Sequence, residues 1–448
     1  MMASCARGGA QPVSAALPDG RLLAFPSAEG FGAGAIGGRG GKAIYVTNIN
    51  EAGKGSLRAC VEASGPRTCI FRISGTITLK NSSLKVTNPF LTIAGETAPG
   101  GGIALRNGPR QIRPSLEILT HDVIVRHVRV RPGPHAVEAC CSGAIGLYTA
   151  EAHDIILDHI SASWGSDETI DAEEATNVTF QWGIVSEPLL DGGPGKSGRA
   201  RNMLFTKSGN VSIHHSLFAM GRFRNPQIKP GYENAVADVV NNVLYSPEWE
   251  YVVSFGDEWS AVRANMVGNY KIAGTSIDSD RLVHLFKESG RGLSIYAADN
   301  FDETYMPGPD SDPREALESS DWSAMAADRF DAPPVRTTAP AIAYGEVLAG
   351  AGATKPKRDA ADIRVVQAVK NRTGALLVNN PEDVGGWPAL QKGQPYSDLD
   401  RDGVSDAWER SNGMNLNDAK DGAKDFDGDG WTNLEEFLHF LAGDPASP

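Results

Sequence analysis

The six residues DIILDH (154–159) decide the fold, because the same pattern returns elsewhere in the chain. Each copy has an Asp or Asn, four mostly apolar positions and then a His or Trp; the copies are DVIVRH (122–127), DIILDH (154–159), NVTFQW (177–182) and NVSIHH (210–215). They follow one another at intervals of 32, 23 and 33 residues. A strand that recurs with polar residues at a fixed phase is typical of a solenoid whose coils stack on one another. We therefore predict an all-β, parallel β-helix, with a β-sandwich as the alternative.

The composition is that of a large, turn-rich protein and excludes two classes of function. The chain has 448 residues, including 50 glycines and 27 prolines, and carries a net charge of −13. No stretch approaches the ~18 consecutive apolar residues of a transmembrane helix. A strongly acidic chain is also a poor general binder of nucleic acid or anionic membranes. We expect a protein with no membrane span and no nucleic-acid partner, acting as a monomer.

The five cysteines bear on the cellular compartment. Cys60 and Cys69 lie nine positions apart between two β-like runs, which favours a disulfide and hence export, with two buried thiols as the alternative. For the adjacent pair Cys140 and Cys141, the sequence leaves a mutual bond and two free thiols open. The start MMASCARGG shows no signal peptide. We expect a secreted protein whose leader has been removed, or a cell-surface lipoprotein attached through Cys5.

The amino-acid composition changes at three points along the chain. Residues 1–24 are interpreted as a leader remnant, and residues 25–300, with β-branched runs between Gly, Asn and Asp, as the β-helix. Residues 301–395 are rich in Pro, Asp and Ala and then become helical in composition, which predicts a wrapping segment with short helices. Residues 396–448 form an acidic C-terminal module.

Two twelve-residue segments of this module fit the calcium-loop pattern D-x-D-x-D-G-x5-E. Carboxylates at positions 1, 3, 5 and 12 and the carbonyl at position 7 supply oxygens for a hard cation, and the glycine at position 6 makes the sharp turn. An acidic, solvated tail would not place Gly and Glu correctly twice. We predict a small α-helical, EF-hand-like module that binds Ca²⁺ through Asp398, Asp400, Asp402, the Val404 carbonyl and Glu409, and through Asp425, Asp427, Asp429, the Trp431 carbonyl and Glu436.

Acidic and basic side chains are segregated in the middle of the chain. Residues 167–174 read DETIDAEE, whereas residues 196–229 contain seven Lys or Arg and no acidic residue. In an acidic protein such a segment indicates a site for a polyanion or for anionic groups of a substrate, with a solvated surface strip as the alternative. The basic residues are Lys196, Arg199, Arg201, Lys207, Arg222, Arg224 and Lys229.

Four stretches resemble the pectate lyases of polysaccharide lyase family one: residues 25–62, IAGETAPGGGI (93–103), IILDHISASWGSDE (155–168) and HHSLFAMGRFRNPQIKPG (214–231). The first of them reads FPSAEGFGAGAIGGRGGKAIYVTNINEAGKGSLRACVE. The paired calcium loops resemble an addition found in bacterial members. The resemblance implies a right-handed parallel β-helix with an active-site groove along one side. It also implies calcium-assisted β-elimination of polygalacturonate to 4,5-unsaturated oligogalacturonides.

The resemblance also assigns roles to individual residues. Segment 222–231 matches the basic catalytic motif of the family, so Arg224 falls on the arginine that removes the C5 proton and Lys229 on a second basic position. Asp167 and Asp171 fall on two acidic calcium ligands. Lys196 is the candidate for a lysine that holds a substrate carboxylate. The remaining basic residues are predicted to bind substrate: Arg199, Arg201, Lys207 and Arg222.

Two features leave the mechanism open. Where the family has another aspartate, this chain has Ser142-Gly143-Ala144, so one calcium ligand is missing and the substrate carboxylate is a candidate to complete the shell. Calcium and lysine on the substrate carboxylate would stabilise the charge that develops on proton removal. A guanidinium is normally protonated, although neighbouring cations favour its neutral form. The alternative role for Arg224 is therefore a bidentate clamp on a carboxylate.

Three other functions stay open on the sequence. The first is a lyase for another uronan, such as glucuronan, ulvan or partly methylated pectin. The second is a glycoside hydrolase using paired carboxylates of DETIDAEE, and the third is a non-catalytic carbohydrate-binding β-helix. The strand-phased histidines His127, His159, His214 and His215 are interpreted as stacked turn residues rather than as a metal cluster.

Overall fold

The computed structural model describes residues 16–17, 19–136, 142–191, 198–246, 252–256, 261–273, 281–286, 292–374 and 378–445. Within these residues, three sheets of ten, eight and nine strands stack as one solenoid, and neighbouring strands of each sheet run parallel. Consecutive strands of a sheet belong to successive coils of the chain. The parallel β-helix predicted from the repeats is confirmed.

The described strands are assigned to the sheets as follows. The first sheet contains Lys42–Val46, Arg67–Phe71, Leu91–Ala94, Val123–Arg126, His153–Asp158, Thr176–Gln181, Val211–His214, Ala237–Val240, Val262–Val267 and Leu293–Ala298. The second sheet contains Leu84–Val86, Leu116–Ile118, Ile145–Tyr148, Glu168–Glu173, Arg201–Ser208, Gln227–Pro230, Val253–Phe255 and Val283–Leu285. The third sheet contains Gly75–Leu79, Ile103–Asn107, Arg129–Val130, Ser161–Ser163, Ile184–Ser186, Leu217–Ala219, Val243–Tyr245, Tyr270–Ile272 and Phe301–Asp302.

Helices contribute little to the solenoid and more to the segments around it. The described α-helices are Leu57–Val61, Pro340–Gly350, Ala360–Asn371, Asp406–Ser411 and Asn433–Ala442, and the 3-10 helices are Gly95–Thr97, Pro313–Ala316, Ser319–Ala324 and Pro381–Val384. In the part of the chain that the structure describes, no helix has the length and apolar character needed to cross a membrane.

The repeated polar residues mark the corners of the coils. His127, His159, Trp182 and His215 each follow a strand of the first sheet and have φ between 48° and 53°. This left-handed conformation turns the chain towards the third sheet. Their rings stack from coil to coil, with centroids 4.6, 6.0 and 4.6 Å apart. The interpretation as stacked turn residues is thus confirmed for three histidines, whereas His214 ends its strand and lies edge-on to its neighbour.

The apolar core fills the interior of the coils. Ile155, Val178 and Val211 are in register on three successive strands and belong to the main buried cluster. Because side chains alternate along a strand, Ile156 points to the other side of the sheet, where it packs in a second cluster with Trp431 of the C-terminal module. The outer face of the first sheet is therefore covered jointly by the N-terminal segment, with Leu23, Phe25 and Ala33, and by the C-terminal module.

The other two faces differ in character. Helices Pro340–Gly350 and Ala360–Asn371 pack their apolar residues against the outside of the third sheet. The outside of the second sheet instead carries polar and charged residues such as Asp171, Gln227 and Lys229. This polar face is where a polar substrate can lie along the solenoid.

A disulfide closes the first coil. Cys60 of helix Leu57–Val61 is bonded to Cys69 of strand Arg67–Phe71, as predicted, and both residues are fully buried. The pair Cys140 and Cys141 lies outside the described residues.

Candidate active site

The acidic and basic segments of the sequence form neighbouring strands of the second sheet. Glu168–Glu173 pairs with Arg201–Ser208, which pairs with Gln227–Pro230. Asp171 and Gln227 are aligned on the same line across these three strands. Because adjacent strands lie ~4.8 Å apart, the two residues are separated by about 10 Å. We call the outer face of these three strands, together with Arg199, Arg201 and Arg224 at its edge, the groove.

Asp167 is paired with two arginines at the edge of the groove. Arg199 Nη1 lies 2.5 Å from Asp167 Oδ2, and Arg201 Nη1 lies 2.7 Å from Asp167 Oδ1. Asp167 itself is buried, whereas about a quarter of each arginine side chain is exposed (27% and 24%). Hydrogen bonds between ionised partners are the strong ones in proteins. The carboxylate of Asp167, a predicted calcium ligand, is therefore already paired with two arginines. Both arginines remain accessible to an incoming anion.

Arg224 lies next to this pair and forms a salt bridge with Glu168. The same Glu168 oxygen, Oε1, lies 3.5 Å from Arg201 Nη1, so the two arginines share one carboxylate. Arg224 has a φ of 58°, a conformation that costs energy for a residue with a side chain and that recurs at active sites. Burial lowers the pKa of the Arg224 guanidinium, and Asp167 opposes this shift. Arg224 is thus a fixed, mostly desolvated cation.

Asp171 has a tyrosine rather than a second acid beside it. The Tyr148 hydroxyl donates a hydrogen bond to Asp171 Oδ2 at 3.2 Å. Gly146 is the residue in register with Asp171 on the preceding strand, and a Cβ at Gly146 would lie 2.4 Å from the Tyr148 ring. Burial raises the pKa of Asp171 to about 6; the Tyr148 hydrogen bond opposes this shift and Asp167 adds to it. The position beside Asp171 on the preceding strand is therefore a glycine, Gly146, and the ring of Tyr148 lies over it.

The groove offers an incomplete set of calcium ligands. Among the residues that the structure describes, Asp167 and Asp171 belong to no cluster of three His, Cys, Asp or Glu ligand atoms within 4.8 Å of one another. Ser142 and Gly143, where the family pattern has an aspartate, are buried, and the Ser142 N–H donates to Ser166 Oγ at 3.0 Å. Calcium requires six to eight oxygens. Two carboxylates, one of them paired with arginines, do not fit the ion unless substrate and water supply the other ligands.

The remaining predicted basic residues lie at different places. Lys229 is on the third strand of the groove, and the Arg222 guanidinium carbon lies 5.5 Å from the centroid of the Phe223 ring. Lys207 forms an exposed salt bridge with Glu173, with 2.9 Å between Nζ and Oε1. Lys196 lies outside the described residues. The structure therefore gathers Arg199, Arg201 and Arg224 around the acidic segment and leaves Lys207 paired at the periphery.

The first C-terminal loop assembles a carboxylate set that differs from the motif. One ligand atom from each of four residues lies within 4.8 Å of the others: Asp400, Asp402, Glu409 and Asp421. Asp398, the first motif position, instead accepts hydrogen bonds from the Tyr45 hydroxyl and the Arg401 N–H. Gly403, at position 6, has a φ of 102°, as the sharp turn requires. The Val404 N–H donates to Asp402 Oδ1 at 2.9 Å, which fixes the loop.

The second loop brings three aspartates together at the surface: Asp425, Asp427 and Asp429. Glu436, the predicted ligand at the twelfth motif position, is not part of this group of three; burial raises the pKa of Glu436 to about 7, and the three aspartates add to the shift. Gly430 has a φ of 100°. The Trp431 indole N–H donates to the Leu23 carbonyl at 2.9 Å, so this loop is attached to the N-terminal segment.

Sequence reasoning missed three of these residues. Glu168 is one of five acidic residues in DETIDAEE, and nothing in this segment distinguishes it from the other four. Tyr148 is 23 residues away from Asp171, so their contact depends on the register of the coils. Asp421 lies beyond the twelve positions of the motif, although it is one of only two acidic residues between the two loops.

The chain is similar to known proteins in sequence and in fold. No protein-family model matches the chain. The chain is 33% identical over 425 residues to a probable pectate lyase C of Aspergillus fumigatus, and 32% identical over 430 residues to one of Aspergillus flavus; in both cases 94% of each chain is covered. The crystal structure of Jun a 1, the major allergen from cedar pollen, matches 72% of this chain and 92% of its own with a TM-score of 0.50 and 18% identity, which supports the fold. Because the sequence similarity extends over almost the whole length of both partners, the chain belongs to the pectate lyase family.

Proposed function

We propose that this protein is a secreted pectate lyase that cleaves polygalacturonate by β-elimination in the groove of the second sheet. The observation that carries the proposal is the cluster of Arg199, Arg201 and Arg224 around Asp167 and Glu168, in a chain related to pectate lyases over 94% of its length. Arg224 lies on the segment that resembles the family's catalytic motif. The buried disulfide between Cys60 and Cys69 supports export.

The reaction requires cations beside the carboxylate of the sugar that reacts. Removal of the C5 proton places negative charge on this carboxylate; a C4=C5 double bond then forms as the C4–O bond breaks, and the departing oxygen takes a proton from water. Cations held in place before the reaction stabilise such charge without reorganisation. Asp167 and Glu168 hold Arg199 and Arg201 in this way before substrate arrives.

Arg224 is the proposed base. Burial already lowers the pKa of its guanidinium and so favours the neutral form, while Asp167 opposes this shift. The alternative role, a bidentate clamp on a uronate, uses the same position. Arg224→Lys separates the two roles. A lysine base would retain part of kcat and move the pH optimum downward, because an amine loses its proton more readily than a guanidinium. A lost clamp would raise KM without moving the optimum.

A calcium ion in the groove would be bound together with the substrate. When bound, it would supply Lewis-acid neutralisation of the uronate carboxylate. Asp171 and Asp167 would hold it, with Asp167 available once a uronate has replaced it as the partner of Arg199 and Arg201. The substrate would supply the ligand that Ser142-Gly143-Ala144 lacks. The two C-terminal loops are proposed as separate calcium sites with a structural role.

The decisive experiment is incubation with de-esterified polygalacturonate, with calcium or with a chelator. Unsaturated products absorb in the ultraviolet, and we expect this absorbance with the wild type. Arg224→Ala should lower the rate by ~10²–10⁴-fold, the usual contribution of a general base. The exposed Arg314, far along the chain in the wrapping segment, provides the control variant Arg314→Ala.

Saturated reducing ends would indicate a hydrolase, and binding without turnover would indicate a carbohydrate-binding protein. A panel of glucuronan, ulvan and partly methylated pectin tests the substrate class.

A further inference from the structure

The first C-terminal loop contains buried carboxylate oxygens without partners. Glu409 is fully buried, and Asp402 and Asp421 are more than nine-tenths buried (8% and 7% exposed). The oxygens without a hydrogen-bond partner among the described residues are Asp400 Oδ1 and Oδ2, Asp402 Oδ2, Glu409 Oε1 and Oε2, and Asp421 Oδ1. Buried charges are normally paired or bound to metal, because their desolvation is otherwise uncompensated. These six oxygens therefore form a site suited to a cation.

Asp421 is held at this position by the segment between the two loops. The Asn415 N–H donates to its Oδ2 at 3.3 Å, and Asn433 Nδ2 donates to its backbone carbonyl at 2.7 Å. The following residue is Gly422, and a Cβ there would lie 2.4 Å from Asp402 Oδ2. Only glycine permits this approach, so the local sequence is adapted to bring Asp421 beside Asp402.

Asp398 has a different task, although it occupies the first position of the motif. Its carboxylate accepts hydrogen bonds from the Tyr45 hydroxyl and the Arg401 N–H, and it lies 3.9 Å from Arg72 Nη1. Tyr45 is on the first strand of the solenoid and Arg72 directly follows the second. The side chain is 1% exposed, so its contacts are inward, to the solenoid. Asp398 thus anchors the loop to the first two coils.

We propose that a divalent cation of the calcium class binds between Asp400, Asp402, Glu409 and Asp421, and that Asp398 is an anchor rather than a ligand. The inference rests on the proposed calcium module and adds a ligand from outside the twelve-residue motif. Six oxygens meet the lower limit of the calcium coordination number, and hard carboxylate oxygens are the ligands it prefers. The ion would connect the loop to the segment containing Asp421, while Asp398 connects the same loop to the solenoid.

The test is calcium binding by the full-length protein without substrate. Bound ions are counted by equilibrium dialysis, and Tm is measured by calorimetry at increasing calcium chloride. Asp421→Asn is expected to lower the count by one ion and to reduce the calcium-dependent rise in Tm. Asp398→Asn is expected to lower Tm without calcium and to keep the count. The matched control is Asp418→Asn, on the same segment but exposed and paired with Lys424, which should change neither.

A crystal of the wild-type protein grown with calcium chloride gives a measurement that does not depend on any variant. A carboxylate oxygen of Asp421 at ~2.3–2.6 Å from the ion supports the proposal, and Asp398 at that distance overturns it. An unchanged ion count in Asp421→Asn, or the loss of an ion in Asp398→Asn, also overturns it. The ultraviolet assay on polygalacturonate is run on the same samples, so failure of the lyase proposal is recognised separately.

Discussion

Arg224 and Glu168 form a salt bridge across the strand Arg201–Ser208, which lies between their two segments of the groove. Glu168 is 8% exposed, so it contacts its protein neighbours rather than solvent, and its Oε1 is shared with Arg201. The carboxylate that fixes the proposed base is thus adjacent in sequence to Asp167, which fixes the other arginines. Two consecutive acids thereby organise all three cations.

We expect Glu168→Gln to lower kcat/KM by about 10- to 100-fold, because a hydrogen bond to a charged group contributes ~1.5–3 kcal/mol. The loss should fall mainly on kcat, since Glu168 positions Arg224 and does not contact the substrate. Steady-state kinetics on polygalacturonate provide the measurement. Glu173→Gln, in an exposed pair with Lys207, is the control and should behave like the wild type. A kcat within twofold of the wild type for Glu168→Gln would contradict the positioning role.

Arg199 and Arg201, which are paired with Asp167, are expected to bind a carboxylate of the substrate. In Arg199→Ala/Arg201→Ala, KM for polygalacturonate should rise at least tenfold, because two carboxylate clamps are lost. Steady-state kinetics on polygalacturonate measure this change. Lys207→Ala, in the exposed pair with Glu173, is the control and should leave KM unchanged. A KM within twofold of the wild type in the double variant would refute this role.

Glu96 should make the stability depend on pH. It is buried with both carboxylate oxygens unpartnered among the described residues, and burial raises its pKa from the ordinary 4.5 to about 8, with Arg126 opposing. Between these two values the folded protein holds a proton that the unfolded chain has lost, so stability falls as pH rises through this window. Glu96→Gln should therefore raise Tm relative to the wild type more at pH 9 than at pH 5. The exposed Glu151→Gln should show no such trend, and parallel Tm profiles for Glu96→Gln and the wild type would rule the effect out.

The end of the chain is attached to the solenoid by a buried salt bridge. Arg126 lies 2.8 Å from both Asp158 and Asp444, and its side chain is 3% exposed. Asp444→Asn should reduce the free energy of unfolding by about 3 kcal/mol, since a partly unpaired buried cation remains. Denaturant titration measures this loss, with Asp310→Asn as an exposed control and kcat unchanged in both. A loss below about 1 kcal/mol would mean that the pair does not hold the module.

The solenoid was predictable because its signal is local. Each six-residue repeat carries its own corner, and a residue such as His159 takes the left-handed conformation whatever the length of the loop that follows. The segregation of DETIDAEE from the basic segment was equally visible, and it correctly placed opposite charges on neighbouring strands.

The pairing within the site was not predictable, because it depends on register. Glu168 is level with Arg201 only after a loop of particular length has returned the chain to the same sheet. No sequence pattern states that the ring of Tyr148 covers Gly146, or that Asp421 folds back onto a motif that is already complete without it. In each case, the deciding contact joins segments whose separation along the chain carries no periodicity.

The packing of the C-terminal module determines the order in which the protein can mature. Ile70 and Ala94, in the first coils, are covered by Leu434, Phe437 and Leu438 of the last helix. The ribosome makes the covered residues first and helix Asn433–Ala442 much later, so a nascent chain exposes this apolar face until that helix has been made. A chain truncated before residue 433 keeps the face open to chaperones and proteases. The first coils are therefore protected at this face only after the helix has folded onto them.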